Sequence, residues 1–250
     1  YTKRGEKSLI APSIVGHGCG ASTSLQAILD SDLEVWNKLW SRFDGLAGTP
    51  WRGGKLPQWA DNLPAIRGSD VADAAKKFKK TTALGCDFMC PRWLCWLSSE
   101  LLDLIADLLT AIEKFGDWPD LIELILVAQI PKPDGGRRPI GLLATLVRVW
   151  EKVRKPVVEA WRIKADRAYN FAAKGRSADT AAWLQAHNAE VAVAKGGRTA
   201  AALLDLTKAF EMVRLDLVWY AGLDMRFPPV ILRLVLVCFA FHRRLTMQGV

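Results

Sequence analysis

The sequence predicts a helix-rich α/β protein of the α+β kind, on three observations. Segments of helical length with apolar stripes recur from residue 69 onward. Two strand-length runs rich in β-formers, "ELILVAQI" and "RTAAALLDL", interrupt them. Gly and Pro clusters such as "PKPDGG" punctuate the joins.

Residues 1–70 are rich in Gly, Pro and Trp, and only "SLQAILDSDLEVWNKLWSRF" has helical periodicity. Its stripe is Leu25, Ile28, Leu29, Leu33, Trp36 and Trp40. The stretch after Phe43 reads as a linker. "SDVADAAKKFKKTTALG" predicts a basic amphipathic helix that stops at Gly85. "SSELLDLIADLLTAIEKFG" predicts a second helix, capped by Ser98 or Ser99 and ended by Gly116. Its stripe is Leu101, Ile105, Leu108 and Ile112, and Glu100 and Asp103 suit its positive end. Glu123 to Ile130 is a strand, and "RRPIGLL" resumes an extended path because Pro139 drives Arg138 out of the helical region. "LATLVRVWEKV" is helical up to Pro156, which should break or kink it. "SADTAAWLQAHNAEVAVAKGG" opens at Ser177 and ends at Gly196–Gly197. "RTAAALLDL" is the second strand. Helices over Leu215–Met225 and Pro229–His242 follow, and "LTMQGV" starts another extended piece.

The 250 residues are half hydrophobic and 24% charged, which excludes a disordered chain and allows a sizeable core. Lys and Arg number 34 against 26 Asp and Glu, a net +8 that favours a polyanionic partner, nucleic acid before membrane. The apolar run Leu234–Phe241 is too short for a bilayer core of about 30 Å at about 1.5 Å per residue. No membrane partner is therefore expected. The N-terminus lacks the apolar segment of a signal peptide, and the chain reads as a piece of something longer. Five cysteines, at 19, 86, 90, 95 and 238, fit free thiols in a reducing, intracellular compartment. Their spacing is not that of a zinc site.

Three segments carry candidate chemistry. In "IPKPDGGRRPI", Lys132 and Arg138, with Arg137 adjacent, flank a Gly-Gly turn. An ammonium and a guanidinium over one spot suit a triphosphate, although a solvated basic hairpin has the same pattern. In "FAAKGRSADTAAW", Lys174, Gly175 and Arg176 approach the Ser177 cap, which suits a nucleic-acid backbone and equally an ordinary capped helix. In "AALLDLTKAFEMV", Asp205 ends an apolar run, with Lys208 and Phe210 beyond it. A carboxylate at a strand end is a natural Mg²⁺ ligand; a salt bridge to Lys208 or a helix cap are the other readings.

In this order, these segments resemble the first half of the reverse transcriptase domain of non-LTR (LINE-type) retrotransposons, over roughly Ala74 to Val250. The resemblance implies right-hand polymerase fingers and a partial palm. Residues 1–70 would lie upstream, 71–122 form a helical extension, 123–198 the fingers, and 199–250 the start of a truncated palm. Asp205 falls on the first metal-binding aspartate, with the Leu206 carbonyl as a second ligand of Mg²⁺. Phe210 falls on the aromatic that screens out the ribose 2′-OH, and Lys132 and Arg138 on the residues holding the incoming dNTP. Lys174, Gly175, Arg176 and Ser177 resemble the segment that contacts the template. The implied partners are an RNA template, a DNA primer and dNTPs, in the nucleus or cytoplasm. Glu211 stands where the family usually has a second Asp, and the family's Asp-Asp pair is absent from these residues. The chain is therefore expected not to polymerise by itself. A non-catalytic nucleic-acid-binding module derived from such a domain is the competing reading, and a group II intron-type maturase a third.

Overall fold

The computed structural model describes residues 24–41, 49–60, 63–133, 137–202, 204, 208 and 211–246. The mixed class expected from the sequence is observed: a helical core carries one small three-stranded sheet. The helices are α1 (Leu25–Trp40), α2 (Gly68–Lys76), α3 (Ser99–Phe115), α4 (Thr145–Ala165), α5 (Ala178–Ala194), α6 (Leu215–Asp224) and α7 (Pro229–Phe239). The strands are β1 (Leu124–Pro131), β2 (Arg137–Leu142) and β3 (His242–Thr246).

The core is assembled around α2, α3, α4 and α7, with Val71, Leu109, Val147, Trp150, Leu234 and Val237 almost wholly buried. Trp118 stands edge-on to Trp150 at 5.3 Å and donates its indole N–H to the Leu234 carbonyl at 3.1 Å. α7 is apolar nearly all round because the core surrounds it. Beside Trp150, Glu113 accepts from Arg154 Nε at 2.5 Å and from Trp150 Nε1 at 2.7 Å. Arg154 also donates to the Pro64 carbonyl at 2.7 Å. This buried ion pair thus ties α3, α4 and the segment before α2 together.

Four expectations are corrected here. α2 ends at Lys76 rather than Gly85, because the Arg92 guanidinium takes the carbonyls of Lys76 and Phe78 at 2.7 and 3.1 Å. α3 buries Leu102, Ala106, Leu109 and Ile112, whereas Leu101 and Leu108 are exposed. Apolar residues on most of its circumference leave the phase open. The close approach of α2 settles it, since a Cβ on Gly68 would lie 2.8 Å from the Asp103 backbone nitrogen. α4 continues unbroken past Pro156 to Ala165. Packing on both sides holds it: Val149 and Trp150 before the proline, Val157 and Val158 after it. Trp161 donates to the Met225 carbonyl at 2.9 Å and meets Phe227 edge-on. Finally, residues 198–202 are irregular and exposed where a strand is expected. β-propensity is expressed only against a paired neighbour, and the sheet of the described residues, β2-β1-β3, does not include them.

Pro156 leaves the Lys152 carbonyl without its helical donor. Pro156→Ala is therefore expected to raise stability by about 2 kcal/mol, less than the full helix penalty because the unfolded chain gains freedom. A urea melt with unchanged slope checks it.

β1 pairs antiparallel with β2, setting Gln129 opposite Pro139, Ile130 opposite Arg138 and Pro131 opposite Arg137. It pairs parallel with β3, setting Ile125 opposite Arg243 and Val127 opposite Leu245. Paired residues share a face and neighbours alternate. One face therefore carries Val127, Gln129, Arg137, Arg243 and Leu245; the other carries Ile130, Arg138, His242 and Arg244.

Candidate nucleic-acid interface

The two-residue period of β2 separates its adjacent arginines. Arg138 is exposed on the open face across from Ile130, and Lys132, also exposed, lies one residue past Pro131. The hairpin thus leaves both cations singled out in the sequence accessible to an anion, with Arg244 exposed on the same face. Arg137 turns the other way. Its Nη1 donates to both oxygens of Asp32 on α1, at 3.0 and 2.8 Å, in a largely buried pair.

The Lys174–Ser177 segment divides similarly. Lys174 is exposed, and Gly175 takes a positive φ of 82° with open space where a side chain would stand. Arg176 is engaged within its own loop. It pairs with Asp166 at 2.8 Å and donates to the carbonyls of Arg167 and Asn170 at 2.6 and 2.9 Å. Its physical role here is to fold the loop that presents Lys174. Ser177 caps α5 by accepting from the Thr180 amide at 3.2 Å. α5 buries none of its residues, and its exposed Trp183 stacks on His187 with centroids 5.2 Å apart. Between Arg162 and Arg198 the sequence carries seven Lys or Arg against three Asp or Glu, a local excess of +4.

Asp205, Leu206 and Phe210 lie outside the described residues, and with them the expected magnesium donors. Among the described residues no group of three or more His, Cys, Asp or Glu could hold a metal ion. Lys208 is described: it has a positive φ of 47°, and its ammonium sits 4.4 Å from the centroid of Trp36 on α1. Cys86, Cys90, Cys95 and Cys238 are free thiols. Burial, with Glu151 nearby, pushes the Cys238 thiol well above the ordinary range, so it stays protonated and inert.

The role of α1 escapes sequence reading. Asp32, Trp36 and Trp40 recur every fourth residue, which places them on one face. The tryptophans read as core, yet they meet cations: Lys208 lies over Trp36, and Arg243 lies over Trp40 at 5.1 Å. The signal was present in that spacing, with an acid beginning the row.

No family model matches the chain, and no curated protein matches it. No helix among the described residues is long and apolar enough to cross a membrane.

Proposed function

We propose that this chain is the fingers and leading palm segment of an RNA-directed DNA polymerase of retroelement type. The intact protein would add dNTPs to a DNA primer on an RNA template, in the nucleus or cytoplasm. The observation that carries this reading is the hairpin with Lys132 and Arg138 exposed, followed in order by the Lys174 loop and the Asp205 segment. Lys132 and Arg138 hold the triphosphate, the ammonium as a point charge and the guanidinium as a fork. Lys174, displayed by a loop that Arg176 folds, meets the template backbone. Phe210 screens the sugar. Asp205 and the Leu206 carbonyl would hold magnesium, which when bound supplies charge neutralisation on the phosphates.

The test is primer extension by the intact protein with RNA template, dNTPs and Mg²⁺. Extension with dNTPs and not with rNTPs supports the reading. No extension, beside an active control, contradicts it. The second reading, a nucleic-acid-binding module without catalysis, is favoured by the local excess of positive charge around α5. Both readings expect RNA affinity to fall by about 0.7 log units per engaged phosphate for each decade of salt. Only the polymerase extends a primer.

A further inference from the structure

α1 is an acidic helix on a basic protein: Asp30, Asp32 and Glu34 against Lys38, a net −2 on a chain of +8. It lies on the sheet face that carries Gln129, Arg137, Arg243 and Leu245. Its charged and aromatic contacts have counterparts in a bound polynucleotide. The Asp32 carboxylate grips Arg137 through two oxygens, the geometry a phosphate offers. The indoles of Trp36 and Trp40 lie against Lys208 and Arg243 as nucleobases would.

Two features show that α1 fits this face incompletely. Gln129 is 7% exposed, yet among the described residues neither its amide nitrogen nor its amide oxygen has a hydrogen-bond partner, and Arg137 Nη2 is likewise buried and unpartnered there. Orphaned groups of this kind are costly, and a glutamine amide is matched to a base edge. In addition, the apolar hold of α1 is small. Ile28 and Leu29 meet Leu245 in a cluster separate from the main core.

We propose that this covered face is a binding site for single-stranded nucleic acid, with α1 seated on it as a displaceable substitute for the strand. The strand's phosphates would take Arg137 from Asp32, its bases would replace Trp36 and Trp40 against Lys208 and Arg243, and a base edge would satisfy Gln129. The inference rests on the nucleic-acid part of the function proposed above and not on its chemistry.

The test is fluorescence anisotropy with a labelled single-stranded oligoribonucleotide and its DNA counterpart, on the 250-residue chain. Asp32→Ala with Trp36→Ala is expected to tighten binding by about tenfold, because the competent state no longer competes with α1. Adding Gln129→Ala or Arg137→Ala should remove that gain. Asp32→Glu, which keeps the ion pair, should bind like the parent. Hydrogen exchange on the unaltered chain gives a readout independent of any variant's folding: residues 25–40 should lose protection when the oligonucleotide is added. Unchanged or weaker binding in the double variant, binding by neither chain, or unchanged protection of α1 would each overturn the proposal. A preference for one oligonucleotide tells which strand the face takes. A chain that passes and whose intact protein extends no primer keeps this site and loses the polymerase. Extension with α1 still protected does the reverse.

Discussion

Glu113→Ala is expected to lower stability by about 3–5 kcal/mol, a large share of the roughly 5–15 kcal/mol of an ordinary domain. Glu113 and Arg154 expose only 8% and 4% of their side chains. Truncating the acid leaves a guanidinium in a dry site with, among the described residues, the Pro64 carbonyl alone to meet it. The same change removes the acceptor of the Trp150 indole N–H, and Trp150 is 1% exposed at the centre of the core. Removing one charge costs more than removing both, because the desolvated partner is what destabilises. Glu113→Leu with Arg154→Met should therefore recover most of the loss. Urea unfolding of the parent, the single variant and the double variant checks this; a double variant no better than the single one would mean that the pair is not the source of the cost.

Asp205→Asn in the intact protein is expected to reduce primer extension by about 10³-fold or more while changing RNA affinity by no more than about twofold. The asparagine keeps shape and hydrogen-bonding capacity but removes the charge that a divalent ion requires. In the proposed function the nucleic-acid grip would come from cations elsewhere: Lys132, Arg138, Lys174 and Arg244 are all exposed on other segments. A loss of RNA binding equal to the loss of extension would make Asp205 a folding residue. Retained extension would remove it from the chemistry.

Local signals were legible in the sequence wherever the physics is local. Ser98 and Ser177 cap their helices, Gly116 ends α3 at a φ of 81°, and the two predicted extended segments on either side of "PKPDGG" pair antiparallel. Expectations failed where tertiary contacts decide. The phase of α3 depends on the close approach of Gly68, and α4 survives Pro156 because packing grips both of its halves. Residues 198–202, although expected in a strand, pair with no strand of the described sheet. At the interface, Lys132 and Arg138 were legible as accessible cations. The sequence could not foretell that Arg176 folds its own loop, or that α1, from far upstream, takes Arg137 and Lys208. The four-residue spacing of Asp32, Trp36 and Trp40 marks a face, but nothing in it names partners a hundred residues away.

Replacing magnesium by iron(II), with ascorbate and peroxide, cuts the backbone beside the bound ion and so locates it. With primer, template and dNTP present, cuts are expected both within residues 203–208 and within the hairpin 131–138, and both should vanish in Asp205→Asn. Cuts confined to other segments, or a hairpin left intact while residues 203–208 are cut, would place the acid and the two cations at separate sites and contradict a polymerase centre in this chain.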